Sequence, residues 1–241
     1  MSPGRWLVPA GLGAGLAWHG LPALTSMGPL RTRLAPALAG AGDPGHVALT
    51  FDDGPHPAST PRFLAELDRL GVRATFFLTG RWAARVPGLA AEVAAAGHEV
   101  AVHGYHHRCL LLRGPRATYD DVARGRDAVT PATGVVPRWY RPPYGVLTGA
   151  GLTAAARLGL TPMLWTAWGR DWEYGASPES VHRTVLADLS GGGTVLLHDS
   201  DVTSAPDSWR ATLAAVPVIV QTLRERGLRV GPLAAHGVPR C

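Results

Sequence analysis

Two adjacent aspartates, Asp52 and Asp53, lie in the sequence TFDDGP and could divide two roles in metal-assisted chemistry. Side chains alternate along a strand, so the two carboxylates are expected to point in different directions. One carboxylate could then bind a metal ion while the other stays free to accept a proton. An ordinary Asp-Gly turn is the alternative, and this motif by itself fits it equally well.

Two histidines, His103 and His107, lie four residues apart in the sequence HGYHH. In a helical turn, this spacing places both imidazoles on one side. Two such histidines and one carboxylate form the three-ligand set of an open zinc-type site, which leaves a position for water. A purely structural histidine pair is the alternative, and His106 is expected to face elsewhere.

Three further motifs carry groups that could stabilise charge or move a proton. In RPPYG, residues 141–145, two prolines stiffen the backbone. A backbone N–H of that loop could face an oxyanion, and Arg141 could pair with a carboxylate. His198 ends an apolar run and could act as an acid if Asp171 orients it. A plain turn and a hydrogen-bonded buried histidine are the alternatives.

The composition excludes several other mechanisms. All 23 basic residues are arginine, because the chain has no lysine, and it has no asparagine either. There can be no lysine Schiff base, no Walker-type phosphate lysine and no N-glycosylation acceptor. The net charge is +5, but the arginines are scattered and no recognition motif accompanies them, so no nucleic-acid partner is expected.

Short apolar runs alternate with amphipathic stretches along most of the chain. The predicted strands are Val47–Phe51, Ala74–Leu78, His98–Val102, Arg138–Arg141, Pro162–Ala167, Thr194–His198 and Leu228–Val230. The predicted helices are Pro61–Leu70, Pro87–Ala96, Thr118–Ala132, Thr148–Leu158, Pro178–Leu189 and Ser208–Arg226. This alternation indicates a parallel α/β fold. Because the reactive residues follow the strand ends, a (β/α) barrel is favoured over an open sheet.

The five motifs in this order resemble the polysaccharide deacetylase family, the carbohydrate esterase family 4 group with a NodB-type catalytic domain. They appear as TFDDGP at 50–55, HGYHH at 103–107, RPPYG at 141–145, DW at 171–172 and LLH at 196–198. The resemblance covers roughly residues 44–235. It implies a distorted, incomplete (β/α) barrel of about seven parallel strands.

The resemblance also implies one site in which residues hold a metal ion, move protons and bind substrate. The implied metal ligands are Asp53, His103 and His107. The implied catalytic residues are Asp52 as base, His198 as general acid, Asp171 tuning that histidine, Arg141 orienting the base, and Tyr144 through its backbone N–H. The implied substrate-binding residues are Trp172, Leu196 and Tyr144. The ligand set suits one zinc ion, with cobalt, manganese or nickel as alternatives.

The implied activity is metal-dependent removal of N-acetyl groups from a peptidoglycan- or chitin-like glycan, with release of acetate. The same site could instead serve an O-acetyl esterase or an amidase acting on a small cyclic amide. The presence of His198 favours an amine leaving group, which needs a proton. A catalytically silent glycan-binding module is the third alternative, and the presence of Asp52 and His198 speaks against it.

Two positions depart from the pattern of the family. Gly104 follows the first metal histidine, where the family usually has serine or threonine. Trp168 stands where the fourth motif often opens with an acid. The first departure bears on metal affinity, and the second bears on the shape and polarity of the substrate groove.

The chain is expected to divide into an apolar N-terminal segment with a linker, residues 1–43, and a polysaccharide deacetylase catalytic domain, residues 44–241. The apolar stretch is interrupted by prolines and polar residues, so it is a poor continuous transmembrane helix. An export signal, a membrane-associated anchor and a helix packed on the domain stay open. The cell envelope or the outside of the cell is the favoured location, with membrane association through residues 6–30 as an alternative.

Overall fold

The computed structural model describes residues 7–238, with side chains described from residue 13 onward. The strands are β1 (His46–Asp52), β2 (Thr75–Leu78), β3 (Glu99–Val102), β4 (Trp139–Tyr140), β5 (Thr161–Pro162), β6 (Ala167–Trp168), β7 (Thr194–His198) and β8 (Arg229–Gly231). The helices are α1 (Leu7–Gly20), α2 (Gly28–Leu34), α3 (Thr60–Arg69), α4 (Gly80–Arg85), α5 (Pro87–Ala95), α6 (Pro115–Thr133), α7 (Gly149–Arg157), α8 (Pro178–Asp188) and α9 (Trp209–Glu225).

The strands form one parallel sheet in the order β5-β4-β3-β2-β1-β7-β6, and β8 pairs with the first half of β1. All seven residues of β1 are buried, as expected for the central strand of a sheet covered on both faces. β5 and β6 are the two edges, and no strand among the described residues joins them. The sheet curls into a barrel that stays open along this seam, which confirms the predicted distorted, incomplete (β/α) barrel.

The structure divides the predicted strand Pro162–Ala167 into two short strands, so the sheet has eight strands among the described residues. β5 pairs with β4 at one edge, whereas β6 pairs with β7 at the other edge. The intervening residues 163–166 cross the seam, and only their two ends bond to neighbouring strands: the N–H of Met163 donates to Tyr140 in β4, and that of Thr166 donates to Thr194 in β7. A continuous apolar run cannot reveal this division, because its residues are buried in either arrangement.

The predicted helices are present, with boundaries shifted by one to three residues at most ends, as is usual for helix termini. The unpredicted α4 is a short helix between β2 and α5. The largest core cluster joins the helix-facing residues of β1, β2 and β7 to apolar faces of the surrounding helices, among them Phe63 of α3 and Ile219 of α9. This packing keeps the sheet rigid beneath the loops at the carboxyl ends of its strands.

Two buried histidines, His46 and His236, lie in contact at the end of the barrel where β1 begins. His236 Nε2 is 3.0 Å from the carbonyl oxygens of both Gly40 and Gly192, so this nitrogen carries the proton. His236 Nδ1 therefore accepts a hydrogen bond from His46 Nδ1 at 2.8 Å. Burial, and then the neighbouring His236, lower the pKa of His46 to about 4. Both rings are consequently neutral at neutral pH.

Acidification from pH 7 to pH 5 is expected to lower the free energy of unfolding through this pair. The unfolded chain protonates its histidines near pH 6.5, whereas folded His46 takes up a proton only near pH 4, so stability falls as the pH drops between these values. His46→Asn keeps a donor near the position of Nδ1 but cannot titrate. Urea unfolding at pH 7, 6 and 5 should show a shallower pH dependence for this variant, and an unchanged slope would contradict the assignment.

Candidate active site

Asp53, His103 and His107 come together at the carboxyl end of the sheet. Their potential ligand atoms all lie within 4.8 Å of one another. Asp53 Oδ1 is 3.6 Å from His103 Nε2 and 3.3 Å from His107 Nε2. Asp53 and His103 are buried, and His107 is nearly so. The structure thus brings the three predicted ligands into one compact group.

The environment of this group fits a divalent cation. Asp53 Oδ1 is buried, yet it has no hydrogen-bond partner among the described residues. His103 Nδ1 donates to the carbonyl oxygen of Arg141 at 2.8 Å, so the lone pair of Nε2 faces Asp53. Burial, and then the proximity of His107, lower the pKa of His103 to about 3, which keeps the ring neutral. One carboxylate oxygen and two imidazole nitrogens suit zinc or a similar ion.

The histidine motif does not form the predicted helical turn; residues 103–107 are a non-helical loop. Gly104 and His107 have φ values of +73° and +51°, and these left-handed positions fold the loop back so that both rings meet. The backbone N–H of Tyr105 donates to Asp121 Oδ2 of α6 at 3.0 Å. A Cβ atom at Gly104 would lie 2.9 Å from the same oxygen, so glycine suits both the backbone and the space.

Asp52 lies beside this group and pairs with a buried arginine. Asp52 Oδ1 accepts a hydrogen bond from Arg141 Nη1 at 2.7 Å, and Asp52 Oδ2 is 3.6 Å from His103 Nε2. Burial raises the pKa of Asp52, and Arg141 opposes that rise. Arg141 also donates to Thr50 Oγ1 at 2.8 Å, which fixes the orientation of the guanidinium. A carboxylate with a raised pKa and one free oxygen can act as a base.

His198 ends β7 at the register position of Asp52, because these two residues are paired across the ladder. Its Nδ1 is 2.9 Å from Asp171 Oδ1, and its backbone N–H donates to Asp171 Oδ2 at 2.7 Å. Thr212 of α9 donates to the same Oδ2 at 2.8 Å. Burial would lower the pKa of His198, but the charge of Asp171 outweighs it and, with Asp53 and Asp52, raises the pKa to about 9. The ring therefore carries a proton at neutral pH.

The RPPYG motif forms a tight turn at the rim of the site. Tyr144 has a φ of +60°, inside the short 3₁₀ turn Pro143–Gly145. Tyr144 is 60% exposed, and its ring stands edge-on to His107 with 4.6 Å between ring centroids. A strained turn of this kind is typical of functional sites, where neighbouring structure holds the backbone in place.

These groups surround one cleft of about 240 Å³ whose wall is rich in tryptophan. Trp165 stacks on Trp168 at 6.0 Å between ring centroids, and Trp168 contacts Trp172 at 5.1 Å. Trp172 stands edge-on to His198 at 5.5 Å. An apolar aromatic wall beside charged groups suits a ligand with both an apolar face and hydrogen-bonding groups, as a sugar has.

The structure places every residue of the predicted site in or directly behind this cleft. The predicted residues that line it are Asp52, His103, His107, Tyr144, Trp172, Leu196 and His198. The predicted residues buried behind it are Asp53, Arg141 and Asp171. The residues that sequence reasoning missed are Asp121, Trp165, Thr203, Ser204 and Thr212. Only Trp165 has a sequence signal, which is the density of tryptophans over residues 165–172.

Carboxylates, imidazoles and a residue group that fits a cation meet around one cleft of an incomplete (β/α) barrel, an arrangement that suits a hydrolase. A family model described as polysaccharide deacetylase matches residues 39–163. The chain belongs to the polysaccharide deacetylase family.

Several proteins with named activities are similar to this chain. A chitooligosaccharide deacetylase of Bradyrhizobium sp. is 36% identical over 200 residues, covering 78% of this chain and 88% of that protein. The peptidoglycan-N-acetylglucosamine deacetylase PgdA of Listeria monocytogenes is 36% identical over 159 residues, covering 66% of this chain but only 33% of that longer protein. The solved structure of the Bc1960 peptidoglycan N-acetylglucosamine deacetylase has a TM-score of 0.77 and 28% identity, covering 83% of this chain and 92% of that chain.

Proposed function

We propose that this chain is a metal-dependent deacetylase that removes N-acetyl groups from a peptidoglycan- or chitin-like glycan and releases acetate. The observation that carries the proposal is the single cleft in which Asp52 and the Asp53–His103–His107 group face His198. The names of the relatives, which include chitooligosaccharide and peptidoglycan deacetylases, support the substrate class.

Asp53, His103 and His107 are proposed to hold one divalent ion, zinc in first place, with cobalt, manganese or nickel as alternatives. When bound, the ion supplies Lewis-acid polarisation and lowers the pKa of water. Asp52 acts as the base that takes the proton of the attacking water. Arg141 occupies Asp52 Oδ1, so Asp52 Oδ2 is the oxygen left for that proton.

The reaction also needs a donor to the oxyanion that forms as water attacks, and an acid for the amine that then leaves. The backbone N–H of Tyr144 is proposed to stabilise the tetrahedral oxyanion, a contact worth about 3–4 kcal/mol in comparable sites. His198, held protonated by Asp171, donates its proton to the departing amine. Trp172 and Leu196 line the part of the cleft that would receive the acetyl methyl group.

Acetate release from a panel of substrates tests this proposal. The panel contains N-acetylglucosamine oligomers, peptidoglycan, an O-acetylated glycan and a small cyclic amide. We expect turnover of the N-acetylated glycans, because a protonated His198 favours an amine leaving group. Turnover of the O-acetylated glycan alone would assign an esterase, and turnover of the cyclic amide alone would assign an amidase. Binding of glycans without acetate release would assign a silent binding module.

We further propose that the protein works at the cell envelope, in contact with an anionic membrane surface. Among the described residues, no helix is long and apolar enough to cross a bilayer. α1 has no acidic, lysine or arginine residue in its sequence, and apolar side chains are exposed on it and on the following turns. These exposed side chains are Leu16, Trp18, Leu21, Leu24 and Met27. An apolar surface on a protein with net charge +5 suits the interface of an anionic bilayer.

Sedimentation with phosphatidylglycerol-containing vesicles checks this location. The double substitution Leu16→Glu and Leu24→Glu is expected to lower the bound fraction several-fold, because it places charge in the apolar surface. Val218→Glu is the matched control, since Val218 is 48% exposed but lies on α9. Equal binding by the wild-type chain and the double variant would contradict the proposal.

A further inference from the structure

At the open seam of the barrel, the N–H of Met163 still donates to the carbonyl oxygen of Tyr140 in β4, but the carbonyl oxygens of residues 163–165 lack partners in a strand. Buried peptide groups need hydrogen bonds, and two arginines and a neighbouring segment supply them. Arg141 Nε donates to the carbonyl oxygen of Met163 at 3.1 Å, and Arg141 Nη2 donates to that of Leu164 at 2.9 Å. The N–H of Leu164 donates to the carbonyl oxygen of Leu38 at 2.7 Å.

The second arginine, Arg31 of α2, approaches the same segment from the N-terminal side. Its Nε donates to the carbonyl oxygen of Trp165 at 2.9 Å, and its Nη1 donates to that of Thr25 at 2.8 Å. The guanidinium carbon lies 4.7 Å from the centroid of the Trp165 ring, a cation–π arrangement. Arg31 is only 2% exposed, and no carboxylate among the described residues lies within ion-pair distance of it. Burying a cation without an acidic partner costs free energy. The hydrogen bond and the cation–π contact between Arg31 and Trp165 offset part of that cost.

Trp165 connects this arginine to the catalytic cleft. Trp165 is part of the cleft lining, and its ring stacks on that of Trp168. The ring also packs closely against Gly145, because a Cβ atom there would collide with it. Gly145 directly follows Tyr144, whose N–H is the proposed oxyanion donor. A shift of the Trp165 ring would therefore move the turn Pro143–Gly145, which we call the oxyanion turn. Trp165 is only 6% exposed, and this limits its direct contact with substrate.

We propose that Arg31 is a positioning residue of the active site, which holds Trp165 against the oxyanion turn and makes residues 28–40 part of the catalytic unit. This inference rests on the proposed deacetylase function. Both Arg31 and Trp165 lie outside residues 39–163, the range matched by the family model.

Arg31→Met is expected to lower kcat for acetate release about tenfold with KM changed less than twofold, because a displaced donor weakens transition-state binding more than substrate binding. Arg33→Met is the matched control, since Arg33 lies on the same helix but is exposed, and it should keep wild-type kcat. Arg31→Lys retains a cation over the ring and should give an intermediate kcat. Wild-type kcat in folded Arg31→Met protein would overturn the inference.

Two further measurements separate positioning from stability and from the proposed function itself. In a Trp165→Leu background, Arg31→Met should lower kcat no further, and an independent tenfold loss would show that Arg31 does not act through Trp165. Hydrogen exchange needs no substrate: amides of residues 144–147 should exchange faster in Arg31→Met than in Arg33→Met. If the wild-type chain releases no acetate, the proposed function fails, whereas unchanged exchange in this turn removes the positioning role.

Discussion

Asp52→Asn is expected to lower kcat by about three orders of magnitude while the protein keeps its metal ion, which is within the range for loss of a general base. The substitution preserves shape and removes only the ability to accept a proton. Asp52 is buried, its pKa is raised, and Arg141 occupies one of its two oxygens. The remaining oxygen faces the cleft beside the ligand group. Steady-state acetate release and metal analysis on the same preparation measure both expectations.

The control for this variant is Asp188→Asn, which removes an exposed carboxylate at the end of α8 and should leave kcat unchanged. The side-chain oxygen of asparagine can still accept a hydrogen bond from Arg141, so a folded variant is expected. Near-wild-type turnover by Asp52→Asn would remove this residue from the base role. Loss of metal together with activity would instead place Asp52 among the ligands.

His103→Ala is expected to abolish activity by releasing the metal ion. Wild-type protein should contain about one divalent ion per chain, and the variant should contain almost none after dialysis. The physical reason is that one of three ligands is lost from a group in which Asp53 Oδ1 has no other partner among the described residues. Even the loss of an outer-shell partner weakens metal binding 10- to 100-fold in comparable sites, and a ligand contributes more.

His106→Ala provides a sharp control, because it removes a neighbouring imidazole that lies outside the ligand group. The His106 ring packs edge-on against Tyr105, with 4.6 Å between centroids. This variant should retain metal and turnover. A metal-free His103→Ala protein that stays fully active would contradict the metal-dependent mechanism. Equal metal loss in His103→Ala and His106→Ala would show that the substitutions disturb the whole loop rather than one ligand.

Local sequence patterns predict most of the secondary structure in this chain. β1 and β7 are predicted almost to the residue, because continuous apolar runs of this length between turn signals suit buried strands. The histidine motif shows the limit of such reasoning. Spacing i, i+4 predicts a helical turn, yet two left-handed residues in a loop bring the same rings together. Spacing alone does not distinguish these backbones.

Among the site residues that were missed, Asp121 and Thr212 act through partners that are distant in the chain. Asp121 holds the histidine loop from α6, and Thr212 holds Asp171 from α9. Arg31 reaches Trp165 across 134 positions of sequence. No periodicity or motif encodes these pairs, because they depend on how helices pack on the sheet.

The sequence by itself determined which chemical groups are available: carboxylate, imidazole, guanidinium and backbone groups, but no lysine amine and no asparagine amide. It also determined the order in which these groups follow the strand ends. The tertiary structure decided how they face one another. Strand register places Asp52 directly beside His198. At the open seam, the N–H of Leu164 bonds to the carbonyl oxygen of Leu38, which holds the N-terminal segment against the cleft wall. The physical reason is that side-chain alternation and helix period are local properties of the chain, whereas register and seam closure follow from satisfying buried peptide groups across the whole sheet.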